Sequence, residues 1–139
     1  MIVVDTNVVS ELMKAEPSPR VLAWVRTRDN RELRMTAITV AEILYGIERL
    51  PNGRKKTAIR TAAVEVFSRF AEEILAFDAP AAPFYAEIVG GRDRQGAPIS
   101  GYDAQIAAIC RAHAATLATR NVKDFDDVGI EVTNPWTDE

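Results

Sequence analysis

The chain has 139 residues, a single cysteine and a formal net charge of −3 at pH 7. This length fits one domain with its own core, and the lone cysteine excludes both an internal disulfide and a thiolate metal cluster within one chain. The negative charge argues against a broad basic surface that coats nucleic acid, so we expect any nucleic-acid contact to be local.

The N-terminal segment and the hydropathy pattern predict a cytoplasmic protein. The opening sequence MIVVDTNVVSELMK lacks the basic region and the cleavage site of a secretory signal. Charged residues interrupt every apolar run before it reaches the roughly 20 residues of a membrane-spanning helix. We therefore expect one soluble domain over residues 1–139, with no membrane contact, in a reducing compartment.

The first part of the chain predicts two strands and two helices. Ile2 to Val4 is a β-branched run typical of a buried strand, and the apolar residues of 8–13 recur at helical spacing. The Ser-Pro pair at 18–19 indicates the start of a second helix, which we expect to end near Arg28. Leu33 to Thr36 is the next strand candidate.

Two longer helices follow. Thr39 and Glu42 have the spacing of a capping box, so a helix is predicted to begin at Thr39 and to stop at the Pro-Asn-Gly sequence of 51–53. Apolar residues at helical spacing predict the next helix from about Arg54 to Glu73, leading into a strand at Ile74 to Phe77.

The last part of the chain repeats this alternation. A helix that opens with the prolines of 80–83 is predicted to fail at Gly90-Gly91. A helix of small residues follows Ser100 and ends near His113, after which Thr116 to Ala118 and Ile130 to Thr133 are strand candidates. Short strands alternating with helices predict an α/β fold with a central short parallel sheet and helices on both faces.

Acidic residues occur where such a fold binds its ligands, outside the carboxyl ends of the strands. Asp5 directly follows the first strand, and the Thr-Arg-Asn of 119–121 directly follows Thr116 to Ala118. Glu42 and Asp103 lie in the first turns of their predicted helices. If those helices begin at the same edge of the sheet, their carboxylates converge with Asp5.

A cluster of carboxylates predicts a hard divalent cation. Ionised carboxylates held close together raise one another's pKa, so such a site needs positive charge. Magnesium and manganese favour carboxylate and water ligands, and no histidine or thiol is positioned to favour zinc. The only histidine, His113, is expected to be structural or exposed.

Each acid also has a purely structural interpretation. Asp5 is a suitable N-cap for the short helix after it, and Glu42 would complete a capping box with Thr39. Asp103 stands three residues after Ser100, where the same motif places an acid. Three such coincidences at one edge favour a functional cluster.

Four segments form an ordered set along nearly the whole chain. They are Asp5-Thr6-Asn7, Thr39-Val40-Ala41-Glu42, Asp103 at the start of a small-residue helix, and Thr119-Arg120-Asn121 with Asp124-Phe125. This set resembles PIN-domain toxins of the VapC type. The ending Asn134-Pro135-Trp136 and the basic residues of 54–56 resemble the FitB-like branch.

The resemblance implies a magnesium- or manganese-dependent endoribonuclease in which Asp5, Glu42 and Asp103 bind the metal. The fourth acid stays open, because this chain has Asn121 where many relatives have aspartate, and places Asp124 three residues later. A metal-activated water would attack the RNA phosphodiester.

The remaining site residues follow the strand of 116–118. Thr119 and Asn121 are expected to hydrogen-bond metal waters or substrate, and Arg120 to engage the phosphate. The resemblance also implies a homodimer and a cognate antitoxin with a ribbon-helix-helix DNA-binding part. That antitoxin would present a basic side chain to the acids. Trp24, Leu44 and Tyr45 are candidates to receive an amphipathic helix, although core packing is the favoured role for each of them.

Two other functions are compatible with parts of the sequence. An aspartyl-nucleophile phosphatase would use Asp5, but those enzymes usually carry a second aspartate two residues later, where this chain has Asn7. A catalytically weak binding module would use the acidic cleft only to hold an antitoxin within a DNA-bound repressor complex. Metal-dependent RNA cleavage by the isolated chain distinguishes the nuclease from both.

Overall fold

The computed structural model describes residues 1–70 and 74–138, in which helices cover both faces of a parallel sheet. The strands are β1 (Ile2–Val4), β2 (Leu33–Thr36), β3 (Ile74–Leu75), β4 (Thr116–Ala118) and β5 (Val132–Thr133). The helices are α1 (Thr6–Leu12), α2 (Pro19–Arg26), α3 (Ala37–Glu48), α4 (Arg54–Arg69), α5 (Ala82–Arg94) and α6 (Gly101–Ala112), with a 3₁₀ helix at Val122–Phe125.

The five strands lie in the order β3-β2-β1-β4-β5, and every neighbouring pair is parallel. The central strand β1 pairs with β2 through Ile2 and Leu33, and with β4 through Val4 and Ala118. The predicted α/β class with a parallel sheet is therefore confirmed. No helix within 1–70 or 74–138 is long and apolar enough to cross a membrane.

Successive residues of the central strands pack on opposite faces of the sheet. Val4 and Ala118 belong to the core beneath α1, α2, α3 and α4, whereas Val3 and Leu117 pack beneath α5 and α6. All four side chains are fully buried. Burial on both faces explains why β1 is a continuous apolar run, and each such Val or Leu contributes roughly 1.5–3 kcal/mol.

Helix α3 begins earlier than the capping-box spacing predicts. Its N-cap is Thr36, whose side-chain oxygen accepts a hydrogen bond from the Thr39 backbone N–H at 3.1 Å. The prediction of a start at Thr39 was wrong because Thr36, at the end of β2, occupies the cap position itself. Glu42 therefore lies in the second turn of α3, so the capping interpretation of Glu42 was also wrong.

Helix α5 continues through Gly90 and Gly91 to Arg94, although the paired glycines predict a break. A glycine costs a helix roughly 1 kcal/mol relative to alanine. Here packing outweighs that cost, because α5 buries Ile88 and Arg92 and lies against α6. The Arg94 side chain also folds back over Gly90, where an added Cβ would stand 3.3 Å from the guanidinium.

Several helices and strands are shorter than predicted. Helix α2 ends at Arg26, β3 stops before Phe77, and β5 begins at Val132 instead of Ile130. Helix α4 ends at Arg69, and the last predicted positions of that helix, 71–73, lie outside the described residues.

The Thr36 cap leads to a stability prediction with a matched control. Thr36→Val keeps the side-chain shape but leaves the Thr39 N–H without its acceptor, so the free energy of unfolding should fall by about 1–3 kcal/mol. Ser18 occupies the N-cap position of α2, but its side chain makes no capping hydrogen bond. Ser18→Ala should therefore change the free energy of unfolding by less than about 0.5 kcal/mol. Urea unfolding measures both, and equal losses would contradict the cap assignment.

Candidate functional site

A cleft of about 420 Å³ opens at the edge of the sheet where β1 and β4 end. Its lining residues are Asp5, Thr6, Asn7, Ser10, Glu11, Lys14, Glu42, Asp103, Arg120, Asn121 and Trp136. All the residues predicted for the site except Thr119 and Asp124 line this cleft. The parallel sheet thus brings together residues that are far apart in sequence.

Asp5 lies at the floor of the cleft and is also the N-cap of α1. The carboxylate is only 5% exposed. Oδ1 accepts the Thr6 backbone N–H at 2.8 Å, and Oδ2 accepts the Thr119 hydroxyl at 2.8 Å. Capping and a place in the cleft are therefore compatible, because the two oxygens have different partners.

Thr119 holds Asp5 in place. Its hydroxyl oxygen accepts hydrogen bonds from Asn7 Nδ2 and the Asn121 N–H, both at 3.1 Å, which directs its single proton to Asp5. The Asn7 side-chain oxygen also accepts the Arg120 N–H at 3.2 Å. Thr119 is completely buried, so in this structure the predicted substrate ligand faces Asp5 and not the cleft.

Glu42 is held by a row of threonine hydroxyls. Thr6 Oγ1 donates to Glu42 Oε1 at 3.0 Å and lies 3.0 Å from Thr39 Oγ1. Because Thr6 has one hydroxyl proton, its donation to Glu42 makes Thr39 the donor to Thr6. This row joins the start of α1 to α3 and fixes Oε1 of Glu42.

Asp103 lies in the first turn of α6, where its backbone N–H donates to Ser100 Oγ at 3.2 Å. The predicted cap at Ser100 is therefore confirmed. The half-buried Asp103 side chain lines the main cleft and also a smaller one of about 240 Å³, which it shares with Asp124 and Arg92. Asp124 is exposed and lies beside the main cleft, whereas Asn121 lies within it.

The three carboxyls are destabilised in their ionised forms. Burial is the largest cause of a raised pKa at Asp5, at Glu42 and at Asp103. The charge of Asp5 raises the pKa of both other acids further, and Asp124 does so for Asp5 and Asp103. Hydrogen bonds from the surrounding hydroxyls lower these pKa values but do not reverse the shift.

Comparison with known proteins identifies the family. Residues 2–131 match the PIN domain. The chain belongs to the PIN-domain family. It is 39% identical to VapC ribonuclease Y4jK of Sinorhizobium fredii over 98% of both chains, and 38% identical to toxin FitB of Neisseria gonorrhoeae over 99% of this chain and 100% of that relative.

The fold of this PIN domain agrees with the sequence comparison. A solved structure of FitAB bound to an IR36 DNA fragment matches it with a TM-score of 0.91 at 38% identity, over 100% of this chain and 98% of that one. The resemblance inferred from the ordered acidic segments is confirmed.

The donor set of the PIN domain fits a hard divalent cation. The acids at the cleft floor supply only oxygen ligands, while burial raises the pKa of the Cys110 thiol to about 12 and His113 is exposed at the end of α6. Among residues 1–70 and 74–138, no three acidic, histidine or cysteine side chains enclose an ion by themselves. Water would complete the coordination, as it commonly does around magnesium.

Arg92 is a residue that the sequence did not reveal. It is 9% exposed, and its guanidinium donates to the backbone oxygens of Ala97 at 2.6 Å, Asp124 at 3.0 Å and Asp126 at 3.2 Å. It thereby connects the loop before α6 to the 3₁₀ helix. Its positive charge also offsets a small part of the rise in the pKa of Asp103. The predicted break at Gly90-Gly91 placed Arg92 in a loop and hid this role.

The far end of the cleft carries further residues without a sequence signal. Glu11 is 7% exposed and accepts hydrogen bonds from Lys14 Nζ and the Ser18 N–H, each at 2.9 Å. The hydrogen bond from Lys14 is the main reason that the pKa of Glu11 is lowered. The helical pattern alone makes Glu11 look like an ordinary surface residue.

The raised pKa of Glu42 predicts a pH-dependent stability difference. Below about pH 4 the Glu42 carboxyl is largely neutral in both the folded and the unfolded chain, so its ionisation does not affect the free energy of unfolding. As the pH rises from the ordinary pKa to the raised pKa, ionisation favours the unfolded chain and lowers that free energy. In chelator, Glu42→Gln should therefore melt at the same temperature as wild type at low pH, and higher at pH 7. Magnesium should narrow the difference at pH 7.

Glu65→Gln, at an exposed position on α4, is the matched control and should show no such pH-dependent difference. Thermal melts in chelator and in magnesium provide the comparison. If Glu42→Gln melts at or below the wild-type temperature at pH 7 in chelator, burial and neighbouring charge do not destabilise the ionised Glu42 carboxylate in the folded state.

Proposed function

We propose that this chain is a divalent-metal-dependent endoribonuclease that acts as the toxin of a toxin–antitoxin pair. The convergence of Asp5, Glu42 and Asp103 in one cleft carries the proposal. Membership of the PIN-domain family supports it, as do the relatives named VapC ribonuclease and toxin FitB. Hydrolysis by water needs no 2′-hydroxyl, so the choice of RNA rests on the ribonuclease relative.

Asp5, Glu42 and Asp103 would hold Mg²⁺ or Mn²⁺ at the floor of the cleft. A bound divalent cation lowers the pKa of water and neutralises charge on the phosphoryl oxygens. The raised pKa values of the three acids support this role, because burial and, to a lesser extent, neighbouring negative charge disfavour their ionised forms, and a bound cation offsets both.

The surrounding residues orient the acids and the substrate. Thr119 and Thr6 fix the Asp5 and Glu42 oxygens through hydrogen bonds of 2.8 and 3.0 Å. Arg120 would bind a phosphate of the RNA, and Asn121 would hydrogen-bond to substrate or water within the cleft. Asp124 would add negative charge beside Asp103 and strengthen cation binding from the neighbouring cleft.

The proposed partner is a cognate antitoxin. The similar structure of FitAB bound to an IR36 DNA fragment supports a DNA-bound complex. The family resemblance alone is the basis for proposing a ribbon-helix-helix part in the antitoxin and a homodimer of this chain in the cytoplasm. Leu44 and Tyr45 on α3 are 43% and 64% exposed and remain candidates for the antitoxin surface. Trp24 is 3% exposed and belongs to the core, so it is removed from that surface.

The phosphatase alternative loses support from the position of Asn7. Its amide donates to Thr119 and also toward Asp5 at 3.4 Å, so it serves the hydrogen-bond network around Asp5. An amide cannot provide the acid and base function that a second aspartate gives those enzymes. Release of inorganic phosphate from small phosphoesters by the purified chain would restore the phosphatase hypothesis.

Asp5→Asn and Asp103→Asn should each lower metal-dependent RNA cleavage by about a thousandfold or more, because loss of several kcal/mol of electrostatic stabilisation has that effect on a rate. The assay uses the purified chain on total RNA with and without magnesium, and circular dichroism checks the fold. Asp93→Asn, on the exposed last turn of α5, is the control and should cleave like wild type.

Near wild-type turnover by either site variant would overturn the assignment. Failure of the wild-type chain to cleave RNA in magnesium or manganese would favour the binding-module function. Comparing Asp124→Asn with Asn121→Ala tests the fourth position: a larger rise in the magnesium concentration required by Asp124→Asn is expected, because only that variant removes a charge.

The antitoxin is expected to inhibit by inserting a basic side chain among the acids. A guanidinium is always charged and forks onto carboxylates, so it would replace the metal and block phosphate entry. Neutralising that antitoxin residue should weaken inhibition even where the complex still forms. Unchanged inhibition at saturating antitoxin would show that the acids are not neutralised directly.

A further inference from the structure

The cleft extends beyond Asp5, Glu42 and Asp103 along α1, and there its lining includes basic and aromatic side chains. Glu11 lies six residues after Asp5, about 9 Å along a helix axis, and the same end of the cleft is lined by Lys14, Arg120 and Trp136. This end therefore combines two cationic side chains with an aromatic ring. Neither the metal site nor the threonine network uses the ring.

Arg120 and Trp136 form a cation–π pair within the cleft. The guanidinium carbon lies 5.2 Å from the centroid of the Trp136 ring. Arg120 is exposed, whereas Trp136 is half-buried and packs against the core beneath α1 to α4. The pair thus has a fixed inner member and a solvent-facing outer member.

Backbone hydrogen bonds hold both members in position. The Arg120 N–H donates to Asn7 Oδ1 at 3.2 Å, and the Trp136 N–H donates to Asn134 Oδ1 at 2.9 Å. Asp138 closes this C-terminal turn by accepting the Asn134 N–H at 2.7 Å. A surface that is ordered before binding loses little entropy when a ligand stacks on it.

We propose that Arg120 and Trp136 form a platform on which an unpaired nucleobase of the RNA stacks while a neighbouring phosphodiester lies at the acids. This proposal rests on the proposed function and adds to it a base-binding role for these two residues. Bases stack on aromatic rings and guanidinium planes, and a base within a duplex has no free face to offer.

A phosphate contact alone does not account for the aromatic member of the pair. Lys14 already supplies a compact charge for the RNA backbone, and its side chain is 61% exposed although it is paired with Glu11. A tryptophan beneath a guanidinium adds a flat, apolar support, which suits a base better than a phosphate.

Fluorescence can report stacking directly, because the chain has two tryptophans. Trp24→Phe removes the core tryptophan, whose ring nitrogen has no hydrogen-bond partner in the described structure, and leaves Trp136 as the reporter. The probe is a short unstructured oligoribonucleotide added in chelator, so that it is not cleaved. We expect it to quench Trp136 emission, while the same oligomer with all bases removed and an RNA duplex of the same length do not.

Affinity should follow the same pattern. The intact oligomer is expected to bind about tenfold more tightly than its abasic counterpart, in line with the known strength of base–aromatic stacking. Arg120→Lys keeps the positive charge but lacks the planar guanidinium group. It should therefore retain the salt dependence of binding and lose most of the preference for the intact over the abasic oligomer. Trp136→Phe should keep part of the discrimination and Trp136→Leu should abolish it, with circular dichroism confirming that each variant is folded.

Arg49 and Tyr45 provide the matched control, since they form an exposed cation–π pair at the end of α3 that does not line this cleft. The Arg49 guanidinium carbon lies 5.6 Å from the centroid of the Tyr45 ring. Arg49→Lys should leave the discrimination unchanged. Equal affinity for intact and abasic RNA, unchanged discrimination in Arg120→Lys, or quenching by the duplex would each overturn the platform.

Failure of the platform can be told from failure of the proposed nuclease. A chain that cleaves RNA in magnesium but binds abasic and intact oligomers equally would be a nuclease without the platform. A chain that is quenched selectively by single-stranded RNA but cleaves nothing would retain the platform and lose the proposed reaction.

Discussion

Val4 of β1 pairs with Ala118 of β4, and the next residues of the two strands, Asp5 and Thr119, therefore leave the sheet side by side. The Thr119 hydroxyl donates to Asp5 at 2.8 Å and fixes one of its oxygens at the edge of the sheet. Every other site residue is placed relative to this pair. A shift of one residue in the register would turn β1 onto the wrong face of the sheet and separate the two side chains.

The site gathers charge that the fold itself does not favour. Burial, and after it neighbouring negative charge, raise the pKa values of Asp5, Glu42 and Asp103, so holding their ionised forms in one cleft costs the domain stability at neutral pH. The threonine hydroxyls offset part of this cost and set the direction of the oxygens. Such an arrangement is typical of functional sites, where pKa values are strongly perturbed.

The sequence allowed the architecture to be predicted, and also that Asp5, Glu42 and Asp103 lie in one cleft, because strand ends and approximate helix positions can be read from short-range patterns. Asp5 follows a β-branched run, and that position alone places it at the ligand-binding edge. Sequence reasoning failed where tertiary contacts outweigh local preference. Packing against α6 carries α5 through Gly90-Gly91, Thr36 takes the cap that spacing assigned to Thr39, and the carbonyls that hold Arg92 lie up to 34 residues away.

Anomalous diffraction from crystals soaked in Mn²⁺ tests most directly whether Asp5, Glu42 and Asp103 form one cation site, as we propose. We predict an anomalous peak at the floor of the cleft, in contact with Asp5 and bonded to Glu42 and Asp103 directly or through water, that disappears in Asp103→Asn crystals. Absence of a peak there, at a manganese concentration that supports RNA cleavage, would contradict it.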